Sequence, residues 1–350
     1  MKLCPQKRIR LLSGLSVCLV AFLVAPLLLV GTSCRASEES TSSFFLMDTQ
    51  ITVTLYTDRS TAEPIFLQCR SLLSGLDALW AKETAGSDID RLNRSDTGID
   101  DADARTVELI RKALQVAADT GGAFDPTVAP LTDLWRAAGE ANRLPTDAEM
   151  QKSLGKVSYR KLSVDGQSIR KGLSTLTVDL GGIGKGAAIS LLRDYLQTTG
   201  VSGGLISFGS NVAVFGKKPD GTPFRIALRD PGREDGIAGT LLLSSDTVLS
   251  VSGDYERYVT IDGTRYHYLY DPSTGYPAEN GLCSVAVLTA DGALADALST
   301  ALFVMGEEKA LKYYTAHTGE PFEAIFLRHD GTVRVTKGLE GGSQWTEAGR

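Results

Sequence analysis

The sequence predicts an α+β fold with a largely antiparallel sheet and packed helices, on three observations. Short runs that alternate apolar and polar residues are joined by hairpin dipeptides, Asp165-Gly166 and Asp262-Gly263. Helical-period stretches stand in blocks between and after these runs, not in strict alternation with them. One segment breaks the pattern: Leu176–Leu180 leads through glycines into a helix and predicts a single βα unit.

Gln50–Tyr56 alternates with Ile51, Val53 and Leu55 on one face and predicts a strand, followed by a helical stretch to about Trp80. Asp101 or Asp103 can cap a helix whose apolar face is Val107, Ile110, Leu114 and Ala117, ended by Gly121-Gly122. Val128–Ala138 is a shorter amphipathic helix; Pro126 or Thr127 can begin it, with Asp125 as N-cap. Asn142–Gly155 reads as a surface connection with a turn or two of helix. Leu162–Val164 and Ser168–Arg170 flank the first hairpin dipeptide, and Leu176–Leu180 is a strand feeding a helix to about Thr199. Strands follow at Leu205–Phe208, Val212–Phe215, Phe224–Leu228 and Val248–Val251, then a hairpin of Tyr258–Ile261 with Tyr266–Leu269. Val285–Thr289 leads into helices at Leu294–Val304 and Glu307–Thr315. Strands at Phe322–Leu327 and Thr332–Val335 precede a polar tail.

With 43% hydrophobic and 22% charged residues the chain has an ordinary globular composition, not that of a disordered one. The formal charge is −6 overall. Residues 1–34 carry Lys2, Lys7, Arg8 and Arg10 and no acids; without them 32 basic residues face 42 acidic ones, a balance near −10. Such an acidic body argues against nucleic-acid binding, which needs clustered Lys and Arg. The basic flank, the apolar run Leu11–Val30 and Gly31-Thr32-Ser33-Cys34 read as a secretory signal. The small residues before Cys34 resemble a bacterial lipoprotein signal with Cys34 lipidated, and Ser37–Ser43 follows like a tether. An uncleaved membrane anchor is the alternative, since about 20 apolar residues span a bilayer. Both place the body outside the cytoplasm, in a bacterial envelope. The expected divisions are a signal at 1–34, a tether at 35–43, one catalytic domain at 44–340 and a tail at 341–350.

Beyond Cys34 only Cys69 and Cys283 remain, and two buried free thiols are expected of them. With three histidines, His267, His317 and His329, and no cysteine pair at ligand spacing, metal chemistry must rest on oxygen ligands. In Asp179-Leu-Gly-Gly-Ile-Gly-Lys185-Gly186 a helix opens on glycines and a lysine. Amides at such a start hold phosphate oxygens, and Lys185 adds a mobile charge. A plain tight turn reads equally well. Asp296 and Thr300 lie four apart on a helix and share a face, two hard oxygens that suit Mg²⁺; alone, such a pair is more often only solvated. The loop Ala123-Phe124-Asp125 precedes a helix and can face a planar ligand, and the stretch from Ser252 to Gly275 is crowded with tyrosines.

These segments, together with Met47-Asp48-Thr49 and Ser87-Asp-Ile-Asp-Arg-Leu-Asn93, resemble in this order the FAD:protein FMN transferase family, called ApbE. The resemblance runs from about Phe45 to about Leu327, and implies an ApbE-like, T-fold-related domain. It implies that FAD, as donor, is contacted by Met47, Trp80, Ala123, Phe124, Asp125, Asp179, Lys185 and Leu269. It implies that Mg²⁺ is held by the Gly182 carbonyl with Asp296 and Thr300. The implied reaction moves FMN from FAD to a Ser or Thr hydroxyl of an acceptor, an envelope redox protein, and releases AMP. Its alternatives are Mg²⁺-dependent cleavage of FAD to FMN and AMP, or flavin binding without turnover.

One position departs from the family pattern. The histidine expected before the two apolar residues of the Asp271-Pro-Ser-Thr-Gly275 segment is replaced by Tyr268, with His267 one residue earlier. Strand neighbours face opposite ways, so His267 cannot take the slot without a bulge. Tyrosine, with a reference pKa of about 10, is a poor base at neutral pH. His267, Tyr268 and Asp296 are the catalytic candidates, with Tyr268 expected on the nucleotide.

Overall fold

The computed structural model describes residues 38–348, apart from 234, 235, 245, 318, 320 and 343. The predicted signal and Cys34 lie outside these. The first half runs β1 (Glu39–Leu46), β2 (Thr49–Tyr56), α1 (Arg59–Trp80), α2 (Asp88–Arg94), β3 (Gly98–Ile99) and α3 (Ala104–Asp119). It continues α4 (Ala129–Glu140), α5 (Asp147–Leu154), β4 (Leu162–Asp165), β5 (Ser168–Lys171) and α6 (Gly184–Gln197). Then come β6 (Gly203–Phe208), β7 (Asn211–Gly216), β8 (Phe224–Arg229), β9 (Ile237–Leu243), β10 (Val248–Gly253), β11 (Tyr258–Ile261) and β12 (Thr264–His267). The chain closes with β13 (Leu282–Thr289), α7 (Gly292–Met305), α8 (Glu307–Ala316), β14 (Glu323–Arg328), β15 (Val333–Val335) and β16 (Trp345–Glu347).

The expected antiparallel sheet has eight strands in the order β1-β2-β6-β7-β10-β13-β14-β15, every neighbouring pair antiparallel. Alternation decides its two faces. Ile51, Val53, Ile206, Ala213, Val248 and Val287 enter the core beneath α1, α3, α6 and α7. Val214, Leu249, Ala286 and Ile325 point the other way, against the three-stranded sheet β16-β9-β8. Helix α7 is buried almost all round, from Gly292 to Phe303. A helix wedged between a sheet and other helices has no wet face to keep polar. Asp296 is therefore a carboxylate in an apolar layer, and its neighbours must satisfy it. Among the described residues no helix is long and apolar enough to cross a membrane.

Several expectations are corrected. The tether expected over 35–43 enters the sheet at Glu39: Thr41 pairs with Thr54 and Ser43 with Thr52 through hydroxyls 3.0 and 2.9 Å apart. Hydroxyl pairs on an exposed face let a polar run be an edge strand. The tail expected at 341–350 carries β16, whose Trp345 is buried beside β9. Strand β9 escapes the alternation test because Gly239 interrupts it, where a methyl would come 2.2 Å from the Trp345 ring. Leu176–Leu180 forms no strand. Its backbone is taken instead by Asn93, which accepts from Val178 N at 2.7 Å and donates to Val178 O at 2.9 Å, and by Pro126 O, which accepts from Asp179 N at 2.8 Å. The hairpin of β4 and β5 turns at Gly166-Gln167, one residue later than expected. Helix α4 starts at Ala129 with Val128 as N-cap, so Asp125 is free for another task.

Candidate active site

Turns and helix ends from both halves of the chain enclose a cleft of about 390 Å³. Its floor is the Asp179–Lys185 turn and the start of α6. Asp179 Oδ1 accepts from Gly181 N at 2.8 Å, which folds the glycines back over the aspartate. Asp179 Oδ2 lies 2.9 Å from Lys82 Nζ. Burial pulls the Lys82 pKa down, but the carboxylates of Asp179, Asp133 and Glu83 outweigh it and raise it overall. Ile183, which precedes α6, makes no side-chain capping bond, and Lys185 in the first turn donates to Gly181 O at 3.3 Å. This leaves a helix N-terminus and an ammonium together on the cleft, the arrangement that attracts phosphate.

One wall is α7. Asp296 and Thr300, one turn apart, both line the cleft. Asp296 Oδ2 accepts from Gly186 N at 2.9 Å and Oδ1 from Ser250 Oγ at 3.1 Å. Ser252 Oγ lies 2.8 Å from Ser299 Oγ and 3.1 Å from Thr300 Oγ1, so hydroxyls on β10 hold both positions from the sheet side. The approach of α6 depends on glycine, because a methyl at Gly186 would stand 2.0 Å from Gly292 O. A methyl at Gly182 would stand 3.6 Å from Thr300 Oγ1 and 3.3 Å from Phe124 Cε2, which puts Gly182 between this wall and the next. Carboxylate, hydroxyl and backbone carbonyl are the hard oxygens a cation such as Mg²⁺ takes. Among the described residues no three His, Cys, Asp or Glu side chains gather to cage a metal. The oxygens of Asp296, Thr300 and Gly182 are of the kind that could hold an ion which keeps waters and shares its ligand's phosphates.

The opposite wall joins Ala123, Phe124, Asp125 and Val128 to Tyr268, Leu269 and Tyr270. Asp125 accepts from Thr127 N at 2.8 Å, Thr127 Oγ1 at 2.6 Å and Tyr159 N at 3.0 Å. It staples the loop that presents Phe124. Burial raises the Asp125 pKa against the pull of those three bonds. Between β1 and β2 the turn is Met47-Asp48, with φ of 51° and 57°. Two-residue hairpin turns with both φ positive normally take Asn-Gly, and a methionine there costs of order 1–3 kcal/mol. Asp48 and Thr49 line the cleft, while Met47 packs on the main core beside it.

Of the residues singled out in the sequence, Ala123, Phe124, Asp125, Asp179, Gly182, Lys185, Tyr268, Leu269, Asp296 and Thr300 meet on this cleft. His267 does not. Its ring stands edge-on to Phe303 at 5.5 Å and its Nδ1 accepts from Leu269 N at 3.2 Å. Burial pushes its pKa down to about 4, against a bond to the Ala278 backbone. Strand β12 ends at His267, not at Leu269 as expected, and the chain beyond it lines the cleft with Tyr268, Leu269 and Tyr270 while the His267 ring stays against Phe303, so His267 is withdrawn as the base. Trp80 is buried in the main core at the end of α1, off the cleft wall. Sequence reasoning missed Lys82, whose partner Asp179 lies 97 positions away, and Ser250, whose hydroxyl serves Asp296. No local pattern marks either. Cys69 and Cys283 are buried free thiols, as expected.

Compared with known proteins, residues 47–326 match the family model described as the ApbE family. A FAD:protein FMN transferase of Vibrio cholerae is 34% identical over 209 residues, 59% of this chain and 63% of that protein. One from Escherichia coli K12 is 32% identical over 209 residues, 58% of this chain and 60% of its own. The alignments thus span about three fifths of the length of these curated relatives. The crystal structure of the ApbE protein from Thermotoga maritima superposes with a TM-score of 0.79 at 28% identity, covering 87% of this chain and 98% of that one.

Proposed function

The chain belongs to the ApbE family, and from that membership we propose that it is a flavin transferase. It moves the FMN half of FAD to a Ser or Thr hydroxyl of an acceptor protein, with Mg²⁺, and releases AMP. The observation that carries this reading is the meeting of two features across one cleft. The glycine turn that opens α6 with Lys185 suits a pyrophosphate, and the Asp296–Thr300 oxygen pair with Gly182 suits the cation that accompanies one.

In this reading Asp296, Thr300 and the Gly182 carbonyl hold Mg²⁺, which when bound neutralises charge on the phosphate oxygens. The positive end of α6 and the Lys185 ammonium orient the pyrophosphate so that its FMN-side phosphorus faces the cleft mouth. Phe124, Leu269 and Tyr268 offer apolar and aromatic surface to the flavin nucleotide and exclude water. The acceptor oxygen bonds to that phosphorus, the bond to the AMP oxygen breaks, and AMP leaves with its electron pair. The acceptor proton goes to solvent or a cleft carboxylate, because His267 faces away. Positioning and charge then carry most of the rate.

One competing reading is hydrolysis of FAD with water in place of the acceptor, which the same residues would serve. A single assay separates them: incubation with FAD, Mg²⁺ and an acceptor domain, following AMP and acceptor mass. Acceptor gain of FMN is expected; AMP without it would mean hydrolysis, and neither would mean a flavin carrier. Asp296→Ala should lower AMP release about a hundredfold or more, as expected when several kcal/mol of charge stabilisation goes. Unchanged release would sink the metal assignment. We further place the protein at the outer face of a bacterial membrane, lipidated on Cys34. Metabolic labelling with a fatty acid should tag the chain and fail for Cys34→Ala. The acceptor is then an envelope redox protein.

A further inference from the structure

Asn211 opens β7, directly after the Gly209-Ser210 turn that lines the cleft. It is fully buried, yet neither its amide nitrogen nor its amide oxygen has a hydrogen-bond partner among the described residues. Because both atoms are orphaned, flipping the amide relieves nothing. A buried amide without partners destabilises a fold, and native cores seldom keep one without a use.

The strand register says what the amide faces. Asn211 pairs with Ser250 on β10 and with Phe208 on β6. Residues directly opposite in a ladder share a face of the sheet. On that face Ser250 Oγ donates to Asp296 Oδ1 at 3.1 Å and lies 3.4 Å from Ser299 Oγ. Ala213, two residues along, packs in the core under the helices. The orphaned amide therefore belongs to the layer that holds Asp296, one strand further from the hydroxyls that already serve it.

We infer that Asn211 is a positioning residue for Asp296. Its amide takes its hydrogen bonds in the Mg²⁺-bound protein, where it completes the polar shell that Ser250 and Gly186 begin, and so sets the affinity for the cation. This rests on the reading of Asp296 as a metal ligand. Outer-shell partners of this kind change metal affinity about 10–100-fold when removed.

The test compares metal-free stability with metal affinity, using the protein with FAD present and Mg²⁺ titrated by calorimetry. Asn211→Leu keeps the branching at Cγ, with a somewhat larger side chain, and removes the orphaned atoms. Its metal-free melting temperature should equal or exceed that of the wild type, while its Mg²⁺ dissociation constant rises about 10–100-fold. Unchanged affinity overturns the inference, and so does a lower metal-free melting temperature, because the amide then serves the fold. If overpacking keeps that variant from folding, Asn211→Asp decides. A carboxylate beside Asp296 should lower the metal-free melting temperature and Mg²⁺ should restore it; a loss that Mg²⁺ does not restore overturns the inference. Asp296→Ala is run alongside. If it binds Mg²⁺ as the wild type does, the metal reading itself falls; if it alone loses binding, only the role of Asn211 falls.

Discussion

Adding one methyl group at Gly186 should damage the fold, while adding it at Gly75 should strengthen it. At Gly186 the new carbon meets Gly292 O at 2.0 Å and Asp296 Cβ at 2.5 Å, where real contacts do not come under 3.0 Å. Neither neighbour can swing aside. Gly292 O is backbone, and a methyl at Gly292 would in turn stand 2.2 Å from Gly186 O. Helices α6 and α7 must separate, and the 2.9 Å bond from Gly186 N to Asp296 Oδ2 goes with them. Overpacking of this kind costs about 1–3 kcal/mol. Losing a buried hydrogen bond to a carboxylate costs about 1.5–3 kcal/mol more. The better helix propensity of alanine returns only about 0.5–1 kcal/mol. The net loss is about 2–5 kcal/mol, or a melting temperature lower by about 3–8 °C for a domain of this size. Gly75 lies inside α1 with nothing within 4 Å of the added carbon. There the propensity gain stands alone, about 0.5–1 kcal/mol. Differential scanning calorimetry of both variants is the assay. Gly186→Ala melting within about 2 °C of the wild type would refute the steric argument, and so would equal losses at both sites.

Burial holds the His267 pKa down to about 4, below its ordinary 6.5. Between these values the unfolded chain binds a proton that the fold refuses, so stability should fall as pH drops through that window. His267→Gln should flatten urea midpoints measured across it while flavin transfer stays near wild type; an unchanged slope would remove burial as the cause, and lost transfer would return His267 to the chemistry. Asn93→Ala removes both bonds to Val178 and should cost about 1–3 kcal/mol. Because Val178 precedes Asp179, FAD titrations should also weaken, and an unaltered affinity would separate Asn93 from the cleft. Burial pushes the Cys69 and Cys283 thiols up to about 12. Alkylation followed by mass spectrometry should leave both unlabelled in the native protein and label both in denaturant; rapid native labelling of either would contradict its burial.

The sequence alone determined whatever is written within a few residues. Alternation marked β2, β6, β7, β10 and β13, whose apolar side chains divide between the two faces of the sheet. Asp103 marked the start of α3, and Asp262-Gly263 the β11–β12 turn. The Gly-Lys turn and the Asp296–Thr300 pair could be picked out because helix starts and one-turn spacings are local geometry. Tertiary structure decided what depends on partners far along the chain. A run of serines and threonines became an edge strand because β2 offered hydroxyls opposite it. Leu176–Leu180 lost its strand because Asn93 and Pro126 took its backbone groups. His267 and Tyr268, chemically ambiguous as neighbours, were separated where β12 ends, with one ring against Phe303 and the other lining the cleft. The surroundings of Asp296 were invisible in sequence for the same reason. Gly186 and Ser250 stand 110 and 46 positions away from it, and only the packing of α6 and α7 on the sheet brings them to one carboxylate.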